Sequence, residues 1–171
     1  MPLLIPFNDI RLTQVSARAT LPAHALAQDL CDALRSSKTG AGLAAPQLGI
    51  LEAVFVFWPN RQEPVRVVCN PRILSRSAQT EVAEEGCLSF PNTYIPVERS
   101  KQIEVEYQDA EGGTVHGTLN DFAARVFQHE YDHLQGVTIV DKLPPHQREQ
   151  VLAAHAKRLR KAGRMGKGAH A

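Results

Sequence analysis

No stretch of this chain approaches the roughly 20 apolar residues that a membrane-spanning helix needs. The first residues, Met-Pro-Leu-Leu-Ile-Pro-Phe-Asn-Asp, lack the charged region and small-residue cleavage site of a secretory signal. They are not rich in Arg and Ser like a transit peptide either, so a cytoplasmic protein with no membrane partner is expected. Cysteine is scarce: Cys31, Cys69 and Cys87 are odd in number and widely spaced, which excludes a disulfide framework. Repeats and an internal linker are also missing. Of 171 residues, 43% are hydrophobic and 22% charged, so the chain can bury one sizeable core and is short for two ordinary domains. Net charge is only +1, but residues 148–171 hold seven Lys/Arg against one acid, and residues 1–147 hold twelve against seventeen. An acidic body with a basic end points to a polyanionic partner for that end.

What is present centres on Gln128-His129-Glu130-Tyr131-Asp132-His133. Residues four apart on a helix stand nearly above one another, so His129 and His133 can turn both imidazoles toward one metal ion. Glu130, one step round, can reach a water held there. Asn120 is placed to cap this helix and Asp121 to favour its positive end. Phe122 and Val126 extend the histidine stripe and predict a buried apolar face, and Gly136 falls where a left-handed terminator is usual. A pair of core histidines bonded to backbone carbonyls would share the pattern, so a third ligand is needed.

Before this helix, the pattern predicts a helix from Pro22 to about Ser37, with Ala25, Leu26, Leu30, Ala33 and Leu34 on one face. Strands are expected at Ala53–Trp58, Val65–Cys69 and Ile73–Ser77. A Pro-punctuated segment up to Pro96 follows, then a hairpin of Lys101–Gln108 and Thr114–Leu119 turning at Glu111-Gly112-Gly113. After Pro144-Pro145 a weakly amphipathic helix is expected over Gln147–Lys161, with disorder from Gly163. The expected fold is α+β: short antiparallel strands packed around a central metal-binding helix, with a C-terminal helix. Residues 1–145 read as a single catalytic domain and 146–171 as a basic extension.

Cys87, in Glu84-Glu85-Gly86-Cys87-Leu88-Ser89, is the candidate third ligand. One thiolate and two imidazoles leave a fourth position for water, as in catalytic rather than structural sites. On its own residues it reads first as a buried apolar thiol, and the two histidines are what make it a ligand candidate. Gly40-Ala41-Gly42-Leu43-Ala44-Ala45-Pro46-Gln47 lacks the Lys-Ser/Thr ending of a P-loop and the third glycine of a dinucleotide fingerprint. It suits a close backbone approach to a substrate, with Gln47 either a donor to an anionic intermediate or a solvent-facing amide.

In the order Gly-x-Gly-Leu-Ala-Ala-x-Gln, Glu-Gly-Cys-Leu-Ser and Gln-His-Glu-x-Asp-His, these segments resemble the peptide deformylases over most of residues 1–143. Ala41 stands where that family commonly has Ile or Val, and Asp121 where Gly is common. The resemblance implies hydrolysis of the formyl group of nascent formyl-methionyl polypeptides, with release of formate. It implies Cys87, His129 and His133 as ligands of one divalent ion, Fe2+ first, with Zn2+, Ni2+ or Co2+ as substitutes. Glu130 would be general base and then acid, the Leu88 N–H and Gln47 side chain the oxyanion hole, and Gly42 a lining of the substrate cleft. Glu85, Asp132 and Arg99 are expected to pair behind the ligands. A monomer is expected. The basic end is either a solvated helix terminus or, as in some deformylases, a contact to the ribosome.

Overall fold

Three phenylalanine rings seat the central helix. In the computed structural model, which describes residues 4–167 and side chains through Lys161, the His-Glu-x-x-His helix runs Asp121–Leu134 (α2). Phe127 of α2 meets Phe55 and Phe57 edge-on at centroid distances of 5.0 and 5.8 Å. Those two rings come from Val54–Phe57 (β2), a four-residue strand buried on both faces. Alternation explains the double burial. Phe55 and Phe57 face α2, whereas Val54 and Val56 join Leu30, Cys31 and Leu34 of the helix His24–Ser36 (α1).

The sheet between the helices is antiparallel throughout. Gly42–Ala44 (β1) pairs with β2, which pairs with Arg66–Arg76 (β3). Later in the chain come Thr80–Cys87 (β4), Phe90–Ser100 (β5), Gln102–Gln108 (β6) and Thr114–Asn120 (β7). β6 joins β3, and β7 closes the order β1-β2-β3-β6-β7. β4 and β5 stand apart as a two-stranded sheet over the histidine-bearing face of α2. The last helix, Pro145–Lys167 (α3), packs Val151 and Leu152 on the cluster that contains Cys87, Phe90 and Ile95. The architecture is the α+β arrangement expected.

Several local expectations are corrected. Helix α1 starts at His24 rather than Pro22: Ala23 is its N-cap with non-helical backbone (φ −107°, ψ 32°), and its N–H donates to the Ala110 carbonyl at 2.9 Å. Its buried face is Ala27, Leu30, Cys31 and Leu34, leaving Ala25 exposed. Strand β3 is continuous through Pro71. The register shifts between Cys69 and Arg72, with Asn70 at φ 50°, so the missing proline N–H falls in a bulge and costs no ladder bond. The Pro-punctuated segment is the β4–β5 hairpin, where Pro96 pairs opposite Glu84. Asn120 does not cap α2 with its side chain, because its amide oxygen accepts from Gln102 Nε2 at 2.8 Å. Asp121 sits at φ 46°, the left-handed region that favours glycine. Helix α3 begins at Pro145 and continues past Gly163 to Lys167. Gly163 and Gly166 each cost only about 1 kcal/mol relative to alanine, too little to end a helix of this length. The rest of the expected tail, 168–171, lies outside the described residues.

Candidate metal centre and active-site cleft

The helical spacing brings the His129 and His133 rings to a centroid separation of 5.1 Å on the buried side of α2. Cys87 arrives from the other direction, at the end of β4, where the Leu88-Ser89 turn begins. Gly86 allows this approach, since a Cβ there would stand 2.8 Å from the Tyr94 ring. The Cys87 Sγ is 3.3 Å from His133 Nε2, and one donor atom from each of the three residues lies within 4.8 Å of the others. Donors at about 2.0–2.3 Å from a four-coordinate ion stand about 3.5 Å apart, so these three residues fit one ion with small shifts. A soft thiolate with two imidazoles suits iron, zinc, nickel or cobalt and does not suit magnesium or calcium.

The lowered Cys87 thiol favours ligation, whereas an ion bound by His129 would have to displace a proton from its ring. Burial would push the Cys87 thiol up, but the facing His133 and His129 imidazoles together hold it well below its ordinary range. Burial would likewise lower His129, yet its hydrogen bonds to Cys87 and Glu85 hold it well above the usual imidazole value. Glu85 sets the orientation of that ring. Its Oε2 lies 2.9 Å from His129 Nδ1, which leaves Nε2 for the metal side. The same carboxylate accepts from Arg99 Nε and Nη2 at 3.0 Å each, and from Arg125 Nη1 at 2.8 Å. Burial opposes its charge, but His129 and Arg99 overcome that cost and bring Glu85 down to about 2. Arg99 also bonds Asp132, which Lys142 reaches at 2.8 Å. The expected pairing of Glu85, Arg99 and Asp132 is therefore formed.

Glu130 is 3% exposed, and its Oε2 has no hydrogen-bond partner among the described residues. Burial dominates and raises its carboxyl to about 7. A Cβ on Gly42 would fall 2.4 Å from Glu130 Oε1, so glycine is what lets strand β1 lie against this carboxylate. Gln47 is buried, with its orientation fixed at both ends. Its carbonyl accepts the Ala44 N–H at 2.9 Å, so the NH2 must face Ser89 Oγ at 3.1 Å and Cys87 Sγ at 3.5 Å. A cavity of about 350 Å³ opens over this group, bordered by Gly42, Gln47, Cys87, Leu88, His129 and Glu130. His133 lies behind it, 1% exposed.

Phe122 corrects the stripe reading. It stands on the right face of α2 but is 48% exposed, because that face opens into the cavity at its first turn. Arg125 and Lys142 carry no assigned role in the sequence reading. Arg125 had a signal, being a charge four residues before His129 on an otherwise apolar face. Lys142 had none, since its contact with Asp132 follows from the turn after α2 and from no periodic pattern.

A sequence model described as polypeptide deformylase matches residues 4–149. The chain belongs to the polypeptide deformylase family. It is 53% identical over 109 residues to the peptide deformylase of Thermotoga petrophila, a match spanning 64% of this chain and 65% of that relative's length. It is 36% identical over 164 residues to peptide deformylase 2 of Vibrio cholerae, covering 95% and 96% of the two chains. Among solved structures, the peptide deformylase from Thermus thermophilus superposes with TM-score 0.83 at 37% identity, covering 94% of this chain and 95% of that one. The Legionella pneumophila peptide deformylase gives 0.86 at 30%, covering 94% and 96%. No helix among the described residues is long and apolar enough to cross a membrane.

Proposed function

We propose that this chain hydrolyses the N-terminal formyl group of formyl-methionyl polypeptides and releases formate. The observation carrying the reading is the approach of Cys87, His129 and His133 to one point beside a buried, unpartnered Glu130 oxygen. Cys87, His129 and His133 would hold one divalent ion, Fe2+ in this reading, with Zn2+, Ni2+ or Co2+ also suited to the donor set. Such an ion, when bound, lowers the pKa of water and polarises a carbonyl oxygen.

The chain's own groups do the rest. Glu130, raised to about 7, takes a proton from the attacking water near neutral pH. Water oxygen bonds to the formyl carbon, and negative charge builds on the formyl oxygen. The Gln47 NH2 and the Leu88 N–H donate to that oxygen, each worth roughly 3–4 kcal/mol in comparable sites. The C–N bond then breaks, Glu130 returns the proton to the amine nitrogen, and formate leaves. Gly42 admits the substrate backbone beside Glu130.

A His-Glu-x-x-His peptidase would use a third His or Glu rather than a thiolate brought from β4. A binding protein that had lost catalysis would have no use for a neutral-range Glu130. Formate release from a formyl-Met peptide decides among the three. Glu130→Gln is expected to retain metal and lose at least about 10²-fold in kcat. Turnover undiminished in that variant overturns the reading.

The same reading makes residues 1–145 one catalytic unit and the protein a cytoplasmic monomer acting on nascent chains. It makes the basic segment 146–171 a contact to ribosomal RNA. Removing that segment is expected to abolish salt-sensitive ribosome binding, and a truncated chain that binds as before refutes this part.

A further inference from the structure

The cleft wall formed by Phe90–Tyr94 is braced from behind by the C-terminal helix. His155 of α3 is 2% exposed, far from the metal ligands in sequence and outside the proposed chemistry. Its ring stands edge-on to Phe7 at 4.6 Å and tilted against Phe90 at 5.6 Å. Its Nδ1 is 3.4 Å from Thr93 Oγ1, whereas its Nε2 has no partner among the described residues. A leucine would fill such a socket without a buried, unpaired nitrogen. What the imidazole adds is the polar contact to Thr93. Three residues along, on the same face, Arg158 Nη1 donates to the Asn92 carbonyl at 2.9 Å. Asn92 is held at φ 58°, a left-handed conformation that a non-glycine residue adopts at a cost. Two consecutive cavity-lining residues are thus each held by a polar contact from α3.

We infer that His155 and Arg158 are positioning residues for the substrate chain: they fix the Asn92–Thr93 wall of the cleft, so the C-terminal helix sets how tightly the peptide is bound. This rests on the deformylase reading. Among the described residues, neither has a polar contact with Glu130, Gln47 or the three metal donors. A wall that holds the peptide equally before and during reaction affects KM and leaves kcat alone.

Two variants separate the contacts from general folding. Arg158→Ala removes one donor from an exposed side chain, and His155→Phe fills the aromatic socket while losing Nδ1. Each is expected to raise KM for a formyl-Met tripeptide about 3- to 10-fold, the scale of one hydrogen bond. Metal content should be unchanged and kcat within about 2-fold. Arg158→Lys, which keeps a donor, should recover most of the loss. Amide hydrogen exchange should quicken at residues 90–94 and stay as it was in α2. Unchanged exchange at 90–94 overturns the inference whatever the activity. Unchanged KM, or a kcat that falls together with metal content, overturns it as well. Failure of the deformylase reading shows separately, as absent formate release by the metal-loaded wild-type protein.

Discussion

On one side of the candidate metal centre α2 is seated by Phe55, Phe57 and Phe127, three rings in edge-on contact with no charge among them. On the other side the β4–β5 hairpin, which carries Cys87, is tied to α2 by Glu85, Arg99, Arg125 and Asp132. The first wall is held by apolar burial, which is insensitive to salt and pH. The second is held by buried charges, each depending on its partners. The helix that spaces the two imidazoles is thus seated by packing, whereas the Cys87 hairpin and the orientation of the His129 ring are held by electrostatics. Conditions that loosen the centre should do so from the hairpin side first.

The sharpest way to break this contrast is a pair of truncations. Phe127→Ala removes the ring on which α2 rests and should cost about 3–5 kcal/mol in urea unfolding. Arg99→Ala leaves Glu85 and Asp132 short of a buried cation and should cost a comparable 3–5 kcal/mol. The two differ in what else they change. Arg99→Ala should also weaken metal retention about 10- to 100-fold, because Glu85 no longer holds His129 firmly. Phe127→Ala should lose stability with a smaller change in metal affinity. Equal metal retention in wild type and Arg99→Ala would remove the electrostatic half of the contrast.

A gentler test is acidity. Glu85 titrates at about 2 in the folded chain against an ordinary 4.5. A carboxyl lowered on folding contributes stability that is fully present above the ordinary value. That stability fades as pH falls from about 4.5 toward 2, and amounts to on the order of 3 kcal/mol. Glu85→Gln should flatten the loss of stability across that window. A variant with the same acid limb as wild type would show that the hairpin is not held by this carboxylate.

The same contrast governs what was legible in the sequence. Helix α2 announces itself through local periodicity, and Gly136 ends it at φ 71° as its place in the sequence suggests. Cys87, Gln47 and Gly42 were found through motif order rather than periodicity, since their contacts span some forty to ninety residues. The β4–β5 hairpin was hidden because Pro91 and Pro96 read as breaks. A two-stranded sheet has free edges, where the missing proline N–H costs nothing. Its alternation of buried Thr93, Ile95, Val97 and Arg99 ends on a charge, which hydrophobic patterning scores as outward. Arg99 points inward because Glu85 and Asp132 wait there; strand alternation cannot show such partners, and the pairing was expected only because charges beside an apolar site need partners. The brace from His155 and Arg158 to Thr93 and Asn92 was invisible for the same reason.

In the proposed centre one thiolate and two imidazoles share a single ion. Cobalt loading tests it directly, because a sulfur ligand gives Co2+ a near-ultraviolet charge-transfer band. One Co2+ per chain is expected, with that band present in the wild type and lost in Cys87→Ala. Cobalt bound without the band, or a band that survives Cys87→Ala, would contradict it.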